Sequence, residues 1–173
     1  MPIAHTYSIV AYDPENHQFG LAVQSHWFSV GSGLAWAEPG IGVVATQSDF
    51  DPSYGPLGLA MMRTGKTAKQ TLDGLIASDP DAEVRQVAMI DAKGNIAVHT
   101  GSRCIPMAGH KLGEHYSVQA NLMLKDTVWD AMSVAYENSS GDLAERMMAA
   151  LEAAENEGGD IRGKQSASIL IVS

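Results

Sequence analysis

Apolar and polar positions alternate with a period of two at the start of the chain. Residues 6–12, Thr-Tyr-Ser-Ile-Val-Ala-Tyr, are rich in β-branched and aromatic side chains, as strands favour. Asp13-Pro14-Glu15-Asn16 is turn chemistry, with Pro presetting φ and Asp and Asn bonding to nearby backbone. The next run sets Leu21, Val23 and Ser25 against Gly20, Ala22 and Gln24. A hairpin over 6–27 follows. Antiparallel pairing makes Thr6 a neighbour of Gln24-Ser25-His26. Small residues on one face let another backbone or a ligand approach. Residues 41–47 are apolar on both faces and predict a buried third strand. It ends abruptly in Thr46-Gln47-Ser48-Asp49, either site material or an ordinary strand exit.

The period then changes. Pro52-Ser53-Tyr54-Gly55-Pro56 opens a helical stretch with Leu57, Ala60 and Met61 on its apolar side, ended by Gly65. Thr67 and Gln70 form a capping-box pattern ahead of Leu72, Leu75 and Ile76. Residues 85–91 and 96–100 predict a second hairpin. Residues 29–33 and 101–114 read as irregular, and 34–38 carry no decisive period. A short strand is predicted at 116–121. Asp126 is expected to cap a helix with Val128, Met132, Ala135 and Tyr136 inward. Asp142 and Glu145 cap the next, whose Leu143, Met147, Leu151 and Ala154 share a face until Gly158-Gly159. Residues 167–172 predict a last strand. Hairpins alternating with helix pairs predict an α+β fold. It is a four-layer αββα sandwich of mostly antiparallel sheets, in one domain over 1–173.

Composition narrows the function. A chain of 173 residues, 45% hydrophobic, is long enough for one sizeable core. A net charge of −9 argues against nucleic acid and against an anionic membrane surface as partners. One cysteine, Cys104, permits no intrachain disulfide. The first residues have no basic region or long apolar run, so the expected location is cytoplasmic. The six histidines make no i, i+4 helical pair and there is no Cys-x-x-Cys, so neither a metal nor a cofactor is expected. His99, Cys104 and His110 would need their loop to fold back, which leaves a metal-assisted hydrolase as a third reading. Gly31-Ser32-Gly33 lacks the ending of a phosphate loop. Arg85-Gln86, at the mouth of a buried strand, and Asp160, Arg162 and Gln165, in a loop, are either clamps or ligand contacts.

The remaining candidate is a hydroxyl nucleophile. A threonine with its own α-amino group exposed activates itself, because an amine of pKa about 8 takes the hydroxyl proton. Such chemistry needs Thr, Ser or Cys at a strand start and oxyanion donors at neighbouring strand ends. Thr6 begins the first strand of the expected sandwich.

Several segments carry a resemblance. They are residues 6–11, 20–31, 42–48 (Gly-Val-Val-Ala-Thr-Gln-Ser), 52–56 (Pro-Ser-Tyr-Gly-Pro), 84–88, 99–101 (His-Thr-Gly), 116–121 (Tyr-Ser-Val-Gln-Ala-Asn) and 158–167. In these the chain resembles the DUF1028 family of Ntn-hydrolase-like proteins, over essentially residues 6–173. The resemblance implies the αββα fold of N-terminal-nucleophile hydrolases, which cleave amide bonds with the first residue of their first strand. The position many members place directly after the initiator Met matches Thr6. Here Met1 to His5 precede it, so the self-activating route requires cleavage between His5 and Thr6. The family also tends to continue beyond the last strand.

The expectation is an Ntn-type amidohydrolase acting on a small amide or peptide-like molecule, assembled as a homo-oligomer. Thr6 attacks, Ser25 or His26 relays protons, and Gln47 or Asn121 holds the oxyanion. By analogy with related folds, Gln24, Thr46 and Ser48 contact substrate; Arg85 is expected to bind a substrate carboxylate and Thr100 to contact substrate. The alternative is an inert binding or assembly module on the same fold.

Overall fold

The computed structural model describes residues 3–4 and 6–173. The His5 end of the proposed cleavage bond lies outside the described residues. The described residues form a mixed α+β fold of two antiparallel sheets and five α-helices.

The first sheet holds β1 (Ile3–Ala4), β4 (Ala35–Glu38), β5 (Gly42–Asp49), β6 (Arg85–Asp91) and β7 (Ile96–Thr100). β4 and β1 share one edge of β5. β4 pairs with residues Gly42 to Ala45, and β1 places Ala4 opposite Ser48 and Ile3 opposite Asp49. The second sheet runs in the order β10 (Ser166–Val172), β3 (Gln18–Ser25), β2 (Thr6–Asp13), β9 (Tyr116–Ala120), β8 (Gly109–Gly113). Between β1 and β2 the chain therefore passes from an edge of one sheet into the middle of the other.

Three apolar clusters follow from strand alternation. Val10, Leu21 and Val23 meet Val43, Ala45, Ala88 and Ile90 between the sheets. On the other face of the second sheet, Tyr7, Ile9, Ala22 and Val118 pack against α4 (Val128–Asn138) and α5 (Leu143–Glu157). On the other face of the first, Val44, Val87 and Met89 pack against α2 (Tyr54–Arg63) and α3 (Ala68–Ser78). Gly55 lets α2 lie directly on the Trp36 ring, where a Cβ would overlap the indole.

Both capping boxes form: Thr67 with Gln70 opens α3, and Asp142 with Glu145 opens α5. Gly158, at φ 127°, stops α5. Four expectations change. The buried face of α2 is formed by Tyr54, Gly58, Leu59 and Met62, whereas Leu57 and Ala60 of the expected apolar side are exposed. Thr127 rather than Asp126 takes the N-cap of α4, with no side-chain cap bond. The irregular stretch 101–114 contains β8, whose Gly109-His110-Lys111-Leu112-Gly113 is too glycine-rich and polar to advertise a strand; pairing with β9 holds it. The loop 29–33 runs into the single helical turn α1 (Gly31–Leu34), followed by the edge strand β4.

Candidate functional site at the strand ends

The register places Thr6 opposite Ser25, and Thr6 Oγ1 donates to Ser25 Oγ at 3.2 Å. Both face the inter-sheet layer, since Tyr7 and Ile9 point the other way into the α4–α5 core. Gln47, on the facing sheet, turns Nε2 toward the Thr6 carbonyl at 3.5 Å, and Asn121 Nδ2 approaches the same oxygen at 3.4 Å. Thr6, Ser25, Gln47 and Asn121 are all at most 1% exposed, so the cluster is closed to solvent.

This cluster ends a longer polar seam between the sheets. Ser117 Oγ donates to Gln119 Oε1, and Gln119 Nε2 donates to Ser8 Oγ at 2.7 Å. Ser8 Oγ donates to Gln47 Oε1, also at 2.7 Å. Gln47 Nε2 donates to Gln86 Oε1 at 2.6 Å. Gln86 Nε2 reaches Thr100 Oγ1 and the carbonyls of Gly109 and Ala120. Thr100 Oγ1 in turn bonds His110 Nδ1 at 2.9 Å. Burial pushes the His110 imidazole below its ordinary pKa, and the nearby His99 adds to this. Buried amides joined this way rigidify the sheet ends. Among the described residues, Asn121 Oδ1 has no hydrogen-bond partner.

Ser8, Gln119 and Ser117 were not expected as site members, and Gln86 was expected only beside Arg85, as a clamp or a ligand contact. Their signal was present: each is a polar residue at an inward position of a strand otherwise filled by Val, Ile and Ala.

Other expected site residues go elsewhere. Gln24 alternates with Ser25, so it faces α5 across the sheet from Thr6. His26 turns outward, with Nδ1 3.2 Å from the Gly163 carbonyl. Thr46 has a long bond to the Asp51 carbonyl, 3.4 Å, one face away from Gln47. Ser48 is buried at φ 73°, a left-handed conformation at the residue that pairs with Ala4. Arg85 is a clamp: Nε meets Asp79 Oδ2 at 2.9 Å and Nη1 meets the Asp49 carbonyl at 2.7 Å. Thr100 joins the seam through Gln86 rather than touching Thr6.

His99 Nε2 bonds the Ala82 carbonyl at 2.8 Å, and Cys104 Sγ donates to the Arg85 carbonyl. Burial pushes the Cys104 thiol up, which suits an inert side chain. Among the described residues no group of three His, Cys, Asp or Glu side chains gathers to hold a metal. Asp160 binds Arg162 in a two-pronged pair within its own loop. No described helix is long and apolar enough to cross a membrane.

A mixed fold with a threonine enclosed at the head of its second sheet is thus the class. The chain belongs to DUF1028, a family of unknown function, whose model matches residues 6–173. Its structure is similar to the crystal structure of protein SPO2555 from Silicibacter pomeroyi, also a DUF1028 protein. The TM-score is 0.91 at 28% identity, over 97% of this chain and 73% of that one. No curated protein matches.

Proposed function

We propose that the protein is an amide hydrolase of the N-terminal-nucleophile type, seen with residues still attached ahead of its nucleophile, Thr6. The observation that carries this is the convergence at Thr6. A hydroxyl partner lies on the neighbouring strand, amide donors come from β5 and the end of β9, and the strand Ile3–Ala4 lies just upstream on the facing sheet. Helices outside two face-to-face sheets support an Ntn-like αββα layering. The family match beginning at Thr6 fits the same reading.

The chemistry balances with this chain's own atoms. Once the His5–Thr6 bond is cleaved, the Thr6 amine takes the proton of Oγ1 as Oγ1 attacks the substrate carbonyl carbon. The C–N bond breaks and the proton passes to the leaving nitrogen. Water then hydrolyses the acyl ester, restoring Thr6 and releasing the acid. Gln47 and Asn121, held by Gln86, offer N–H groups to the oxyanion without reorganising. Ser25 positions the Thr6 hydroxyl.

A small-molecule substrate, self-association and a cytoplasmic location belong to the same proposal, the last supported by the single cysteine. One observation favours the inert alternative: Thr6 is fully buried as the chain stands. Screening small amides against wild type, Thr6→Ala and Thr6→Ser separates the two. The hydrolase reading expects turnover by wild type, loss in Thr6→Ala and partial retention in Thr6→Ser. Equal turnover by Thr6→Ala and wild type refutes it.

A further inference from the structure

Across the second sheet, on the face away from Thr6, three residues stand in one row. Ala167 of β10 lies opposite Gln24 of β3, which lies opposite Tyr7 of β2. The row floors a cavity of about 390 Å³ whose wall is α5. Met148, Leu151, Glu152 and Glu155 project from α5 at helical spacing onto it.

Gln24 is the anomaly in this cavity. It is 4% exposed, and among the described residues neither its amide nitrogen nor its amide oxygen has a hydrogen-bond partner. Buried amides are normally paired, because an unmade bond leaves the full desolvation cost. Three of the polar groups around it are already engaged with one another. Tyr7 Oη donates to Glu155 Oε2 at 2.9 Å, and Lys164 Nζ lies 3.2 Å from Glu155 Oε1. Glu152 stands exposed at the rim with no ion-pair partner among the described residues.

We infer that this cavity binds a small carboxamide with an apolar body and an ammonium group, the chemistry of an apolar amino-acid amide. A primary carboxamide is the complement of Gln24. Its N–H donates to Gln24 Oε1 while its carbonyl accepts from Gln24 Nε2, so both orphaned atoms are satisfied at once. Met148, Leu151 and Ala167 offer the apolar surface for a branched side chain. Glu152 attracts the ammonium. A free carboxylate gains nothing from Gln24 Oε1 and meets the charge of Glu152 and Glu155. The inference stands apart from the Thr6 proposal, because the two sites lie on opposite faces of the sheet.

The test is a titration of the intact protein with L-leucinamide, L-leucine and 3-methylbutylamine, followed by amide-resolved NMR. Leucinamide should perturb Gln24, Ala167 and the middle of α5, with Kd on the order of millimolar for about nine non-hydrogen atoms. Leucine and the amine should bind at least about tenfold more weakly, a loss of one or more hydrogen bonds. Gln24→Leu should abolish leucinamide binding while leaving the melting temperature equal or higher, because it removes an unpaired buried amide. Ala167→Trp, at an exposed position, should block the cavity in an otherwise unchanged fold and abolish binding too. Equal binding of leucinamide and the amine overturns the inference. So does undiminished leucinamide binding by either variant, or no perturbation of the wild type at tens of millimolar.

Discussion

Asn121 Nδ2 donates to Gln86 Oε1 at 3.0 Å, a bond that crosses from the end of β9 in one sheet to the Arg85 end of β6 in the other. The same oxygen accepts from Gln47, so one glutamine holds both amides that converge on the Thr6 carbonyl. Gln86→Leu removes this hub and strands several buried polar atoms. It should cost about 3 kcal/mol or more, at about 1–3 kcal/mol per unpaired group. Urea denaturation at neutral pH measures it. On the proposed mechanism the variant should also lose kcat, which a merely structural hub would not require in protein that remains folded.

Arg85 is 5% exposed in its side chain and pairs with Asp79 at 11%. Burial works against both charges. The Arg85 guanidinium and neighbouring hydrogen bonds outweigh it, so the Asp79 carboxyl lies below its ordinary range. Arg85→Met leaves Asp79 unneutralised and should cost about 3–5 kcal/mol, as for other broken buried pairs. In wild type the contribution of Asp79 is present above its unfolded pKa of about 3.9. It is lost as pH falls through the lower folded value. Acid titration of unfolding free energy, in wild type and in Asp79→Asn, checks the direction.

His110 gives the opposite kind of group a similar dependence. Its folded pKa is depressed by burial and by His99, so between that value and about 6.5 the unfolded chain binds the extra proton. Stability should therefore rise with pH across that window and level off above about 6.5. His110→Asn should flatten this segment of the profile, read from melting temperatures between neutral and mildly acid pH.

Gly55 sits under the Trp36 ring, and a Cβ there has no room. Gly55→Ala should lower stability by about 1–3 kcal/mol through overpacking, despite the better helix propensity of alanine. Trp36 fluorescence should shift with it, which distinguishes local repacking from a general loss of structure.

Much of the fold was legible because local chemistry and tertiary demand agree. The strand 85–91, its partner 96–100 and the boxes at Thr67 and Asp142 follow from alternation and cap residues alone. β8 and β4 were not legible, since each is held by a neighbour rather than by its own composition. At the site, proximity of Thr6 and Ser25 followed from hairpin register, and Gln47 and Asn121 from strand exits. Face was the harder property. Gln24 and Ser25 are adjacent in sequence, yet one serves α5 and the other the inter-sheet layer, as the two-residue period dictates. The polar positions inside β2, β6 and β9 needed the facing sheet to reveal their shared seam.

The proposed function requires Thr6 to become a chain terminus by its own chemistry: its hydroxyl attacks the His5 carbonyl, the peptide bond gives way to an ester that frees the Thr6 amine, and water hydrolyses that ester. Intact-mass spectrometry of purified wild type and Thr6→Ala tests this most directly. The account predicts a wild-type chain beginning at Thr6 and a Thr6→Ala chain that keeps the residues ahead of position 6. A wild-type mass that retains those residues in protein that nevertheless turns over amides, or the same truncation in both proteins, contradicts it.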